Sequence, residues 1–165
     1  MAQSQKRICL GIDPGLTRIG YGLILKENGR LSYLASGLLV VPEPPVEDQL
    51  VLIEKEMTKL IRKSNPQTIA FEKLFFTVNK KTGLAVAQAR GVIIAAALKR
   101  KIKIIEISPS QIKKAVTGNG RASKKDVEKM VRFFLPLPDK KMIDDEIDAL
   151  ATAITAIHSS SALDF

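Results

Sequence analysis

Four carboxylates stand where the sequence predicts that strands or helices begin or end. Asp13 ends an alternating apolar run that Pro14-Gly15 terminates, and Glu72 lies near the end of a second apolar run. Asp145 and Asp148 are three residues apart in a predicted helix, so they share one of its faces. Oxygen ligands without cysteine or a nearby histidine favour Mg²⁺ or Mn²⁺. Two such ions about 4 Å apart can activate water and stabilise the leaving oxygen of a phosphodiester.

Most of these acids also have a simple structural explanation. Asp13 belongs to an ordinary Asp-Pro-Gly turn, and Glu72 could pair with a lysine. Acids are common in the first turn of a helix, and this explanation suits Asp144 and Glu146 best. The apolar stripe of that helix is predicted to consist of Ile147, Leu150, Ile154 and Ile157. Asp148 lies at the edge of this stripe, where an acid is harder to explain by solvation alone.

The spacing of apolar residues predicts the elements that must hold these acids. The predicted strands are 8–13, 17–25, 31–41, 68–74 and 102–107, and the predicted helices are 46–63, 83–98, 109–116, 124–135 and 144–158. Asn28-Gly29 predicts a hairpin between the second and third strands. Helical connections make the first, fourth and fifth strands parallel. The fold class is therefore α/β with a mixed five-stranded sheet, and ligands are expected beyond the carboxyl ends of the parallel strands.

Composition predicts one folded domain with a polyanionic partner. The chain has 165 residues, of which 45% are hydrophobic, and we expect a single domain over residues 1–158 followed by a short disordered tail at 159–165. Lys and Arg number 26 against 17 Asp and Glu, which gives a net charge of +9. This excess favours nucleic acid first and an anionic membrane surface second. The lone Cys9, with no secretory signal and no long apolar run, predicts a cytoplasmic protein without membrane spans or a cysteine-based zinc site.

Positive charge is concentrated in the second half of the chain. The basic residues that flank the Gly118-Asn119-Gly120 turn are Lys113, Lys114, Arg121, Lys124 and Lys125. A single basic helix usually presents its charges to solvent. Two basic helices in succession favour salt-dependent binding to phosphates. Phe75 and Phe76 follow the strand that carries Glu72, and could pack in the core or stack on nucleic-acid bases.

Taken in order, these motifs resemble those of the RuvC family, the bacterial Holliday-junction resolvases. The matching segments are Gly11-Ile12-Asp13-Pro14-Gly15 with Gly20-Tyr21-Gly22, Phe71-Glu72-Lys73-Leu74-Phe75, Gln88-Ala89-Arg90-Gly91, Lys113 to Gly120, and Asp145-Glu146-Ile147-Asp148-Ala149-Leu150-Ala151. Each motif alone is weak evidence for this family. Five motifs in register over about residues 6–158 are specific evidence for it.

The resemblance implies an RNase H-like nuclease that cuts two symmetry-related strands of four-way junction DNA in recombination and repair. It implies two Mg²⁺ ions per active site, with Mn²⁺ as a substitute, and work alongside RuvA and RuvB. The implied catalytic and metal-binding acids are Asp13, Glu72, Asp145 and Asp148. The implied DNA contacts are a stacking aromatic at Phe75 and lysines at Lys113 and Lys124, with Lys114 and Lys125 as alternatives in register. A homodimer would form through the helix that carries Gln88, Arg90 and Gly91.

Two other functions are compatible with parts of the sequence. A non-catalytic junction-binding protein on the same fold would bind junctions tightly and cut none, although the presence of all four acids argues against it. A sugar-kinase or actin-like ATPase also has Asp-x-Gly strands, but that class needs two such domains around a nucleotide. Stabilisation of the chain by nucleotide would favour the ATPase.

Overall fold

The computed structural model of the chain describes residues 6–43, 45–74 and 80–159. The strands are β1 (Arg7–Asp13), β2 (Arg18–Glu27), β3 (Arg30–Val40), β4 (Thr68–Glu72) and β5 (Lys103–Ile107). The helices are α1 (Val46–Ser64), α2 (Lys80–Leu98), α3 (Pro109–Thr117), α4 (Lys124–Phe134) and α5 (Asp144–Ser159). All ten predicted elements are therefore present, with boundaries that differ by up to three residues. Phe75, Phe76 and the predicted tail beyond Ser159 lie outside the described residues.

The sheet has the predicted mixed topology. Its strand order is β3-β2-β1-β4-β5. The β1–β2 and β2–β3 pairs are antiparallel, whereas the β1–β4 and β4–β5 pairs are parallel. Asn28 and Gly29 adopt φ angles of 51° and 78°, which the predicted Asn-Gly hairpin turn requires. The α/β fold class with a mixed five-stranded sheet is thus confirmed.

Helices cover both faces of the sheet and divide the core in two. One apolar core lies under α1 and α2, and the other lies under α3, α4 and α5. Ile12 and Phe71, neighbours on β1 and β4, are fully buried in the first core. Because side chains alternate along a strand, the next residues, Asp13 and Glu72, face the side on which α5 lies. The pleat of two adjacent parallel strands therefore brings two carboxylates to the same edge and the same face.

Helix α5 is buried on every side, which corrects the prediction of a single apolar stripe. All residues from Ile147 to Ile157 except Asp148 are buried, including its alanines and threonines. The helix lies across β1 and β2, where a side chain on Gly11 would collide with the Ala149 carbonyl. A side chain on Gly20 would collide with the backbone of Asp145. Glycines on the strands therefore let the start of α5 contact the sheet directly.

Arg90 lies inside the fold, although it belongs to the helix through which a homodimer is predicted. Its side chain is only 9% exposed and forms an ion pair with Glu106 on β5. The guanidinium also stacks over the Phe71 ring, with 5.2 Å between its central carbon and the ring centroid. Gln88 and Gly91, by contrast, are exposed on the outer surface of α2. Among the described residues, no helix is both long and apolar enough to cross a membrane.

Replacing Gly11 tests the close contact between α5 and the sheet. We expect Gly11→Ala to lower the free energy of unfolding by about 3 kcal/mol or more, because a methyl group forced against backbone cannot be relieved by a rotamer change. Gly91→Ala is the matched control, since nothing lies within 4 Å of the added carbon. That control should stabilise α2 by up to about 1 kcal/mol. Denaturant unfolding measures both, and equal stability of the two variants would contradict the packing described.

Candidate active site

A cavity of about 500 Å³ opens at the carboxyl ends of β1 and β4. Three of the predicted acids line it, namely Asp13 at the end of β1, Glu72 at the end of β4, and Asp148 in the second turn of α5. Lys113 on α3 and Lys124 at the start of α4 line the same cavity. The site thus places three carboxylates beside two lysines that neighbouring helices contribute.

The carboxyl of Asp13 is held in an environment that opposes its ionisation. Burial is the largest cause, and the negative charges of Asp148, Asp145 and Glu72 add to it, so the pKa rises from 3.8 to about 7. The positive charge of Lys124 acts in the opposite direction but only partly offsets these effects. The negative charge around Asp13 is therefore only partly compensated, as expected of a carboxylate that binds a cation.

Glu72 and Asp148 experience the same conflict. Burial followed by repulsion from Asp148 raises the pKa of Glu72, against the attraction of Lys113 and Lys124. Burial likewise raises the pKa of Asp148, although the ammonium of Lys124 opposes that shift. Neither Asp13 nor Glu72 has an ion-pair partner within 4.0 Å among residues 6–43, 45–74 and 80–159. The lysine pairing considered for Glu72 is therefore not found there.

Lys124 is the cation that is most directly involved with the acids. Its Nζ lies 3.5 Å from Asp148 Oδ2 and 3.6 Å from Asp144 Oδ2. The charge of Asp148 is the main cause that raises the pKa of Lys124. Ser123 caps α4 immediately before this lysine by accepting a hydrogen bond from the Asp126 N–H. The cap fixes the start of the helix and so directs Lys124 toward the cavity.

Asp145 stands beside the cavity rather than in its lining. Its Oδ2 lies 2.9 Å from Nη2 of Arg18, the first residue of β2. Arg18 is not among the site residues predicted from the sequence. The hairpin register contained the signal, because β2 is antiparallel to β1 and begins at the edge where β1 ends at Asp13. Asp13, Glu72 and Asp148 are therefore brought together at one cavity, and Asp145 approaches them from the side with its own cation.

Glu146 has a structural role, as its position in the first turn of α5 indicated. Its residue exposure is 5%, and its carboxylate accepts hydrogen bonds from the Ser36 hydroxyl and the Ile143 N–H. It also lies 3.4 Å from the ammonium of Lys140. These contacts connect the start of α5 to β3 and to the preceding loop. Asp144, by contrast, has a side chain that is 78% exposed.

The other predicted DNA-binding residues lie away from this cavity. Lys114 lines a separate cavity beside β5, and Arg121 and Lys125 are exposed outside the lining of the site. Of the two pairs of alternative lysines, the structure therefore places Lys113 and Lys124 at the acids. Phe75 lies outside the described residues and stays a prediction.

The chemistry of the donor set fits a hard divalent cation. Carboxylate oxygens are the ligands that Mg²⁺ and Mn²⁺ prefer, and the site offers them without a competing thiol or imidazole in its lining. Among the described residues, no three acidic, histidine or cysteine side chains already stand in a ready metal-binding arrangement. Lys124 and Arg18 are drawn to two of the acids instead. The residues thus fit a cation that would complete the arrangement by replacing these contacts.

The raised pKa of Asp13 predicts a pH-dependent effect on stability. Its folded pKa of about 7 exceeds the ordinary 3.8, so the metal-free protein loses stability as the pH rises from about 4 to about 7. We expect Asp13→Asn to be more stable than the native chain at pH 8 in chelator, by on the order of 2 kcal/mol, and equally stable at pH 4. Thermal and denaturant unfolding measure this. Asp139→Asn changes an exposed acid and leaves Asp13 in place, so its stability should match that of the native chain at both pH values. A destabilised Asp13→Asn at pH 8 would contradict the electrostatics.

Comparisons with known proteins agree with this geometry. Residues 9–156 match the family described as crossover junction endodeoxyribonuclease RuvC. A protein of that description from Thermomicrobium roseum is 41% identical over 93% of this chain and 94% of its own length. One from Heliobacterium modesticaldum is 44% identical over 92% of this chain and 94% of its own length.

Solved structures extend the likeness to the fold. The Thermus thermophilus RuvC structure has a TM-score of 0.84 at 28% identity and covers 94% of this chain and 96% of its own. The same protein in complex with a Holliday junction substrate has a TM-score of 0.86 with the same coverage. The yeast mitochondrial Holliday junction resolvase Ydc2 shares the fold, with a TM-score of 0.71 at 14% identity over 93% of this chain and 78% of its own. This chain belongs to the RuvC family.

Proposed function

We propose that this chain is an endonuclease that resolves four-way DNA junctions by paired symmetric nicks in homologous recombination and repair. The observation that carries the proposal is the cavity in which Asp13, Glu72 and Asp148 meet beneath Lys113 and Lys124. A phosphodiester is itself negatively charged and would be repelled by the acids alone. Acids that hold metal ions, with lysines beside them, suit its hydrolysis. The solved complex of the Thermus protein with a Holliday junction supports the choice of substrate.

The four acids are proposed to hold the metal, for which we infer Mg²⁺, two ions per site, with Mn²⁺ as a substitute. Asp13 and Asp148 would bind most directly, because they share the cavity and Asp148 is the charge that opposes the ionisation of Asp13 most strongly. Glu72 and Asp145 would complete the set. Bound divalent ions supply an activated water and stabilise the leaving oxygen. Because the pKa of Asp13 is about 7, loading the site at neutral pH would release a proton from this carboxyl in roughly half of the molecules.

Lys113 and Lys124 are proposed to hold DNA phosphates near the bond that is cut. Both line the cavity, and Lys124 has a 71% exposed side chain that can leave Asp148 for a phosphate. Lys114, Arg121 and Lys125 would contact the backbone farther from the bond. Such contacts give affinity that falls with salt and carries little sequence information. Phe75 follows the same strand as Glu72, and we propose that it stacks on a base at the junction.

A homodimer is proposed because two symmetric cuts need two active sites. The outward face of α2 supplies a suitable surface, since the exposed residues between Gly83 and Leu98 are all uncharged and most are small or apolar. They are Leu84, Gln88, Gly91, Ala95 and Leu98. Their alternating spacing of four and three residues forms one continuous stripe along the helix. Leu84 and Leu98 are 62% and 57% exposed, which is costly for leucines that stay in water.

The wider setting of the activity follows from the family and is likewise a proposal. We propose that residues 1–158 form one nuclease domain and that it acts in the cytoplasm beside the RuvA and RuvB branch-migration complex. The net charge of +9 favours a polyanionic partner, as DNA is.

Cleavage of a labelled synthetic four-way junction tests the activity. We expect paired symmetric nicks on the junction and none on linear duplex, and only when Mg²⁺ or Mn²⁺ is present. Asp13→Asn should reduce cleavage by at least about 100-fold while junction binding in chelator is kept, because removing this charge disturbs metal loading rather than phosphate contacts. Asp139→Asn is the matched control, since its exposed carboxylate lies outside the cavity lining and should be dispensable for cutting.

Two outcomes would contradict the proposal in different ways. Specific junction binding without cutting in any divalent metal would favour the non-catalytic binding protein. Full cleavage by Asp13→Asn, combined with weakened junction binding, would show that the acids had been assigned the wrong role.

The dimer has its own test. Leu84→Glu combined with Leu98→Glu should shift the chain toward its monomer mass of 18.1 kDa in light scattering, because burying two carboxylates at the interface is unfavourable. Val40→Glu combined with Val51→Glu places the same charges at valines that are 65% and 70% exposed elsewhere. That control should stay dimeric. Equal masses for the two double variants would contradict a homodimer formed through the outward face of α2.

A further inference from the structure

The contact between Arg18 and Asp145 separates one acid from the other three. Asp145 is absent from the cavity lining, although Asp148, which lies one helical turn later on the same face, is part of it. The Arg18 guanidinium holds the Asp145 carboxylate at 2.9 Å. Asp145 nevertheless lies near enough to raise the pKa of Asp13, so its charge acts within the site. Arg18 therefore partly neutralises an acid that a metal ion would otherwise use.

The backbone that carries Arg18 is held by neighbouring backbone, whereas more than half of its side chain is exposed. Arg18 pairs with Val40 in the β2–β3 ladder. Its carbonyl also lies directly against Gly15, where any side chain would collide with it. The Arg18 side chain is 55% exposed, whereas that of Asp145 is 27% exposed. An exchange of partners therefore requires only rotation of the arginine side chain.

We propose that Arg18 is a positioning residue that occupies Asp145 in the metal-free protein and moves to a DNA phosphate when a metal ion takes Asp145. The inference rests on the proposed function. A guanidinium stays charged at all relevant pH values and binds carboxylates and phosphates alike. A divalent ion at the acids competes with Arg18 for Asp145 and also repels it electrostatically. The released guanidinium then lies beside the cavity that a phosphodiester has to enter.

The exchange couples metal binding to DNA binding. The metal ion needs Asp145, the phosphate needs Arg18, and both must break the same ion pair. If the metal ion binds first, the phosphate no longer has to break the ion pair, and the converse also holds. The metal ion and the DNA therefore increase the protein's affinity for one another, as thermodynamic reciprocity requires. Arg18 would therefore weaken metal binding to the free protein and favour loading of the site when DNA is present.

Replacing Arg18 should shift two measurements in opposite directions. In the full chain, Arg18→Gln should bind Mn²⁺ more tightly by about fivefold or more in calorimetry, because Asp145 no longer has a competing cation. At saturating Mn²⁺, the same variant should show a raised KM for junction cleavage with kcat largely kept, because it lacks a phosphate contact. Arg18→Lys keeps the charge and should restore most of both values. A purely structural role would not tighten metal binding.

Arg132→Gln is the matched control, since it removes the same charge from another ion pair. Arg132 lies 3.0 Å from Glu128 on the outside of α4, away from the cavity lining. It should leave both Mn²⁺ affinity and KM unchanged. If the native chain binds Mn²⁺ and cuts the junction while Arg18→Gln leaves Mn²⁺ affinity unchanged or weaker, the Arg18 proposal alone is overturned. If the native chain binds no Mn²⁺ or cuts no junction, the proposed function fails and the Arg18 proposal fails with it.

Discussion

Uncompensated negative charge at the carboxyl ends of β1 and β4 is the constraint on which the site depends. Asp13 and Glu72 emerge side by side on one face of the sheet, and Asp148 is brought against them by α5. Burial and repulsion from neighbouring acids raise the pKa of all three carboxyls. Such an arrangement opposes folding unless a cation stabilises it. Lys124 and Arg18 offset part of the charge, and a divalent ion would offset more of it.

The fold maintains this arrangement through contacts that lie away from the charges. Gly11 and Gly20 remove the side chains that would hold α5 off the sheet, so the backbone near Asp145 packs directly on β2. Glu146 anchors the same helical turn to Ser36 on β3. Behind the sheet, Arg90 donates a hydrogen bond to the Glu72 carbonyl at 3.4 Å. Small residues and buried polar contacts therefore supply the rigidity that a cluster of like charges lacks.

Periodicity predicted most of this architecture, because strand alternation and helical spacing are local properties of a sequence. The helical connections predicted parallel strands, and parallel strands that are neighbours bring Asp13 and Glu72 to the same edge of the sheet. Three features could not be predicted from periodicity. The all-round burial of α5 depends on glycines of distant strands, and Arg90 belongs to a helix so rich in alanine that no face is marked as inner. The contact of Arg18 with Asp145 depends on the reach of one side chain across the hairpin edge.

The most direct test of a cation site among these carboxylates is the location of bound Mn²⁺ by anomalous diffraction from crystals of the native chain. If these carboxylates bind the cation, manganese peaks should lie at ligand distances of about 2.1 Å from carboxylate oxygens of Asp13 and Asp148. Lys124 should no longer contact Asp148 in that structure. Manganese bound only elsewhere, or acids that keep Lys124 and Arg18 as partners in saturating Mn²⁺, would contradict a cation site among these carboxylates.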